Sequence, residues 1–233
     1  MKYKAIIFDI SDTIVEYKPN YAQIYGDRLQ SLGFDVPEKL REDISKTINW
    51  TIYEQMQKQQ LGAAHLTDNE LDMLLDRAAL SYMISDDGLY DNYILELSKR
   101  PIPKQELLVI DDVFPVLNVL KNKYHLGIVS NHRPWMMDFL NKSGLSPYFS
   151  TIIISEIVGI SKPDIRIMQL ALDDLLLKPD QCLYVGDQPL DVLCSKQIGM
   201  DCAWITKEKQ MPKSIPYKED YKISRLYELL DIL

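Results

Sequence analysis

Cysteine is scarce in this chain. Three occur in 233 residues, Cys182, Cys194 and Cys202, an odd count without C-x-x-C spacing. That excludes a disulfide framework and a thiolate zinc site, and leaves the three as small core residues. Histidine is as scarce, and His65, His125 and His132 are scattered with no neighbour at metal-ligand spacing. Positive charge is also short: 26 Lys and Arg stand against 34 Asp and Glu, a formal net charge of −8. Nucleic acid and anionic membrane surfaces are therefore not expected partners, and an anionic small substrate would need locally concentrated positive charge. Long apolar runs are missing too. The N-terminal run ends at Asp9, too short for a signal-peptide core, and no later run approaches a membrane span. The expected setting is the cytoplasm.

What is present is apolar content in short blocks. Hydrophobic residues make up 46% of the chain, enough for a substantial core. Four blocks rich in β-branched residues, "KAIIFD", "HLGIVSN", "STIIIS" and "QCLYVGD", are followed by a fifth, "DCAWIT". Continuous rather than alternating apolar character suits strands covered on both faces, as in a parallel sheet. Between them, "DDVFPVLNVLKNKY" puts Val113, Leu117 and Leu120 on one helical face, and "PDIRIMQLALDDLLL" does the same with Ile167, Leu170, Leu172 and Leu175 behind a first-turn proline. Strand alternating with helix predicts an α/β fold, a doubly wound parallel sheet whose sites lie at the carboxyl ends of the strands. Asp9, Ser130 with Asn131, and Asp187 all follow strand blocks directly. Such a sheet would gather them on one edge. Taken singly, each could be an ordinary helix cap, and Asp112 and Asp180 read as caps.

Residues 17–104 break that rhythm and read as helices. "YAQIYGDRLQSLG" carries a C-cap signal at Gly33, "PEKLREDISKTINWTIYEQMQKQQ" runs long from a proline, and Thr67 with Glu70 has capping-box spacing. This predicts a helical insertion into a core domain of residues 1–16 and 105–233, with hinges near 15–19 and 100–106. Tyr17, Tyr21, Tyr25 and Leu29 recur every fourth residue and read as a packed helix face, or as an aromatic wall over a substrate.

"FDISDT", "GIVSN", "ISKPD" and "VGDQPLD", in that order, resemble the four motifs of the haloacid dehalogenase-like superfamily. The helical insertion resembles its C1 cap, and the resemblance covers the whole chain. It implies a Rossmann-like core and a Mg²⁺-dependent hydrolase acting on a small phosphorylated metabolite. Asp9 would be the nucleophile that forms an aspartyl-phosphate. Ser130 and the backbone of Asn131 would donate to the phosphoryl oxygens, and Lys162 would neutralise charge on nucleophile and phosphate. Asp9, Asp187 and the carbonyl of Ser11 would hold Mg²⁺, with Asp191 orienting that shell. Thr13 would hydrogen-bond around the nucleophile, and His132 and Arg133, which follow the second motif, are candidate substrate contacts or solvated loop residues.

One position departs from the pattern. Phosphatases of the superfamily usually carry D-x-D-x-T, whose second Asp protonates the leaving alkoxide; here that residue is Ser11. Losing general acid and base help costs on the order of 10² to 10⁴ in rate, most for poor leaving groups. Two alternatives stay open. A phosphonatase- or dehalogenase-like hydrolase would use Asp9 without the second Asp. A phosphonatase, however, needs a cap lysine, for which Lys39, Lys46 and Lys58 are available, and dehalogenases of the family need no metal, whereas "GDQPLD" retains both acids. A scaffold that binds a phosphorylated ligand or a protein partner is the other.

Overall fold

The computed structural model describes residues 2–60, 63–64, 66–85, 87–206 and 215–233. His65 lies outside them. The chain forms two compact units, Met1–Tyr17 with Leu107–Leu233, and Lys18–Glu106. In chain order come β1 (Ala5–Phe8) and β2 (Val15–Lys18), then α1 (Tyr21–Gln30), α2 (Glu38–Gln60), α3 (Asp68–Leu80) and α4 (Asp87–Ser98). After them come β3 (Glu106–Val109), α5 (Val113–Leu120), β4 (His125–Ser130), α6 (Trp135–Lys142), β5 (Thr151–Ile154), α7 (Ser155–Val158) and α8 (Arg166–Leu175). The last are β6 (Cys182–Gly186), α9 (Pro189–Ile198), β7 (Asp201–Ile205), β8 (Tyr221–Ile223) and α10 (Leu229–Ile232).

The first unit is an α/β layer structure on a six-stranded sheet of order β5-β4-β1-β6-β7-β8, with every pair parallel. Its five expected strands fall where the apolar blocks stand. Along β1 the side chains alternate between two buried layers: Ile6 and Phe8 pack with Val113, Leu117 and Leu120 of α5, while Ala5 and Ile7 pack with Ile167 and Leu172 of α8. Both faces are covered, which is why the strands show no polar side. All three cysteines are buried and unpaired, and burial pushes the Cys182 thiol up to about 12. They are core residues.

The structure corrects several local expectations. α8 begins at Arg166, so Pro163 precedes the helix rather than opening it. Asp112 makes no side-chain cap; its Oδ2 instead accepts the Tyr227 N–H at 3.0 Å, a tertiary contact that outcompetes the local one. Asp180 lies inside the 3₁₀ turn Pro179–Gln181. β8 and the β2–β3 pair are strands that the apolar blocks do not announce.

In the second unit the Thr67 and Glu70 capping box forms as its spacing predicts. α1 is capped at Ser31, and Gly33 takes its positive φ of 92° in the turn beyond. The tyrosine row is not one helix face, because Tyr17 belongs to β2 and the helix starts at Tyr21. Tyr25 and Leu29 pack against Ile44, Ile48 and Leu80 in the core of this unit, so for them the packed-face reading holds. A buried ion pair stitches the same core: the Arg28 guanidinium grips both oxygens of Asp76, at 2.7 and 2.5 Å, and also donates to the Leu97 and Arg100 carbonyls. Fork-shaped pairing of this kind satisfies nearly every donor, which a buried charge requires.

Candidate active site

Three adjacent strands set the site. Phe8 of β1 registers with Ile128 of β4 on one side and Val185 of β6 on the other. By that register Asp9, one residue past β1, is level with Val129 of β4 and Gly186 of β6, and Ser130 and Asp187 stand one step further along the same edge. The Asp9 N–H still donates to the Val185 carbonyl at 2.8 Å, extending the ladder by one step. The chain then turns back at once, with Ile14 and Val15 both donating to the Ile10 carbonyl. Asp12 sits in that turn at φ 53°, a left-handed conformation that Asp tolerates better than most residues.

Lys162 binds the cluster together. Only 3% exposed, it places Nζ 2.9 Å from Asp9 Oδ1, 2.5 Å from Asp191 Oδ1 and 3.1 Å from the Tyr184 hydroxyl. Tyr184, in β6, in turn donates to the Val129 carbonyl of β4 at 2.7 Å. The Lys162 backbone is locked by Asn131, whose side chain accepts from the Lys162 N–H at 2.8 Å and donates to its carbonyl at 2.9 Å. Asn131 thus holds the lysine loop through its side chain, a role beyond the backbone donation expected of it.

Asp191, fully buried in the first turn of α9, uses both oxygens: Oδ1 accepts from Lys162, and Oδ2 accepts the Gln188 N–H at 2.9 Å. It fits there only because residue 186 has no side chain; a Cβ on Gly186 would lie 2.3 Å from Asp191 Oδ2. Gly186→Ala is therefore expected to displace that carboxylate and to cost about 1–3 kcal/mol of stability, as overpacking a buried position does. Thermal unfolding checks this, and an unchanged Tm would contradict it.

Carboxylate oxygens of Asp9, Asp187 and Asp191 lie within 4.8 Å of one another. Their electrostatics show the crowding. Burial pushes the Asp191 carboxyl up to about 6 against the pull of Lys162. Asp187, although partly reached by solvent, is held well above the ordinary carboxylate range by burial first and then by Asp12, Asp191 and Asp9. Asp12 is pushed up to about 6 by the protein around it, Asp9 and Glu16, although solvent reaches it. Burial alone would lower the Lys162 ammonium, but Asp191 and Asp9 carry it well above its usual value. One lysine does not balance these acids. The donor set fits a hard divalent cation that takes a few carboxylate oxygens plus carbonyl and water. With both Asp191 oxygens engaged, Asp9 and Asp187 are the residues best placed to ligate it directly.

The remaining expected residues divide. Thr13 is buried, with its hydroxyl 3.5 Å from Asp187 Oδ1, and Ser130 is buried at the strand end. Ser11 lies in the turn, bridged to Val15. Arg133 is not brought into the cluster: its side chain is 66% exposed, and its Nε lies 3.8 Å from Glu156. Its neighbour His132 is the one that turns inward, buried and bonded to Tyr17. Sequence reasoning missed the parts played by Tyr184 and Gly186, which read only as members of a strand block.

The comparisons with known proteins agree on one family. The profile of the haloacid dehalogenase-like hydrolases matches residues 6–205. The glyceraldehyde 3-phosphate phosphatase of Methanopyrus kandleri is 26% identical over 99% of this chain and 97% of its own length. Pyrophosphatase PpaX of Bacillus velezensis is 26% identical over 98% and 95%. The L-2-haloacid dehalogenase of Xanthobacter autotrophicus shares the fold, with a TM-score of 0.64 at 18% identity over 99% of this chain and 98% of that one.

Proposed function

The chain belongs to the haloacid dehalogenase-like hydrolase family, and from that premise we propose that it is a Mg²⁺-dependent phosphatase acting on a small phosphorylated metabolite in the cytoplasm. One observation carries the reading: Asp9 stands at the strand end with Lys162 on one oxygen, beside the second acid pair Asp187 and Asp191. Two of the relatives above are named for phosphate and pyrophosphate hydrolysis, which supports the substrate class.

A phosphoryl group carries clustered negative charge, so its transfer needs an in-line nucleophile, positive charge and donors that hold it still. Asp9 attacks phosphorus, the bond to the ester oxygen breaks, and the phosphoryl group passes to the carboxylate as an acyl phosphate. Lys162 offsets the charge on both partners, while the Ser130 hydroxyl and the Asn131 N–H donate to the phosphoryl oxygens. Mg²⁺, held by Asp9, Asp187 and the Ser11 carbonyl, would neutralise the negative charge that the transferred group brings. Water then hydrolyses the acyl phosphate and regenerates Asp9.

The other chemistries find less support. A metal-free dehalogenase needs no cation, whereas Asp9, Asp187 and Asp191 gather as a donor set that fits one. For a phosphonatase the candidate lysines of α2 are surface charges: Lys39 and Lys46 pair with Asp43, and Lys58 is exposed. Among the described residues no helix is long and apolar enough to cross a membrane. The reading is tested with p-nitrophenyl phosphate, whose leaving group needs no acid, with Mg²⁺ and with EDTA, beside 2-haloacids and phosphonoacetaldehyde. Turnover that needs Mg²⁺ supports it; undiminished turnover in EDTA, or chloride release in its place, overturns it.

A further inference from the structure

We propose that Tyr17, held by His132, is the general acid and base of this chain, supplying the proton that position 11 cannot; the inference rests on the phosphatase reading above. β2 returns Tyr17 from the turn after Asp9 to the loop after β4, and its hydroxyl lies 2.8 Å from His132 Nε2. The direction of that bond follows from the other ring nitrogen. His132 Nδ1 accepts the Arg133 N–H at 2.9 Å, so in the neutral ring the proton is on Nε2. Nε2–H therefore donates to the Tyr17 oxygen. The phenol accepts from the ring, and that bond does not consume its own proton.

The ring is fixed for this task. The His132 N–H donates to Ser155 Oγ at 3.0 Å, the Ser155 hydroxyl donates back to the His132 carbonyl at 3.3 Å, and Trp135 packs edge-on at 4.7 Å. Burial lowers the imidazole from its ordinary value, with Asp9 and the Arg133 N–H opposing and the Arg133 charge assisting. The ring is thus kept as a neutral donor, and the field of Asp9 reaches it. A neutral N–H aimed at a phenol oxygen stabilises the phenolate, the form that Tyr17 takes once it has given up its proton. His132 is in this sense a positioning residue.

The chemistry balances without a further reactant. In the first step an Asp9 oxygen bonds to phosphorus, the phosphorus–ester bond breaks, and the leaving oxygen takes the proton of Tyr17. A phenolate held by Nε2–H remains. In the second step water oxygen bonds to phosphorus, the bond to Asp9 breaks, and the proton of that water returns to Tyr17. A phenol with a pKa of about 10 is a weaker acid than the missing carboxyl but far stronger than a serine hydroxyl.

The test compares two leaving groups, one that needs a proton and one that does not. The ratio of kcat/KM for p-nitrophenyl phosphate to that for ethyl phosphate is expected to rise about 10²-fold in Tyr17→Phe, and to rise in the same direction in His132→Gln. Adding Ser11→Asp to Tyr17→Phe is expected to bring the ratio back down by restoring a carboxyl donor. A ratio unmoved in both single variants, with the two substrates losing equally, would mean a structural role and overturn the inference while leaving the phosphatase reading intact. Wild-type protein that hydrolyses neither ester with Mg²⁺ would overturn both.

Discussion

Lys162→Met is expected to lower stability by about 3–5 kcal/mol, the cost of breaking a buried pair from one side. For a chain of this size that is a fall in Tm on the order of 10 °C. The side chain is nearly isosteric, so packing is kept while Asp9 and Asp191 both lose the cation that touches them. The pH dependence has a definite sign. Asp191 already sits at about 6 with Lys162 in place, and losing the ammonium raises it further above its unfolded value. An acid whose folded pKa is raised destabilises the protein above that pKa and ceases to do so as it takes up a proton. The deficit should therefore narrow as pH falls toward about 6 and below. Turnover should drop about 10²- to 10³-fold, the usual loss when a preorganised charge is removed from a transition state. Thermal unfolding across pH without added metal, beside steady-state kinetics with it, checks both. A variant as stable as the parent at pH 8 would mean that the ion pairs carry little.

Asp9→Asn has the larger kinetic effect. On the proposed mechanism, replacing the attacking carboxylate should cost on the order of 10⁴-fold or more in kcat, on good and poor leaving groups alike. Stability should not follow. Asp9 contributes to raising the carboxyls of Asp187, Asp191 and Asp12, so neutralising it relieves repulsion while Lys162 keeps Asp191 as a partner. Activity lost at constant or higher Tm is the pattern of a site that accepts strain for function. Comparable loss in Tm and in activity would point to a structural carboxylate.

Much of this was legible in the sequence because the relevant signals are local. Five apolar blocks gave five parallel strands, and polar residues directly behind three of them marked one sheet edge. The edge strand β8 was not legible, since Tyr221–Ile223 is three residues long and only Ile223 is fully buried. Asp112 and Asp180 failed as caps for a different reason: Asx chemistry names a residue that can cap, but tertiary partners decide whether it does. In the site, Asp9 and Asp187 were marked by their place behind strand blocks, and Lys162 and Asp191 by motifs that resemble those of the family. Tyr184 was not, because inside "CLYVG" its ring reads as core and nothing local shows that its hydroxyl meets Lys162. Gly186 hid as the end of a strand block, although it is the empty space against which Asp191 packs. His132 and Arg133 were both candidate substrate contacts by their place after the second motif, and Arg133 is the exposed one. Its neighbour His132 is the buried one, and only three-dimensional pairing with Tyr17 distinguishes the two.

The most direct measurement is to quench the protein in acid during turnover of p-nitrophenyl phosphate with Mg²⁺ and to find, by peptide mass, which residue carries a phosphoryl group. The modification is expected on Asp9, and absent in Asp9→Asn. A phosphoryl group on another side chain, or steady turnover with the Asp9 peptide never modified, would contradict nucleophilic attack from the end of β1.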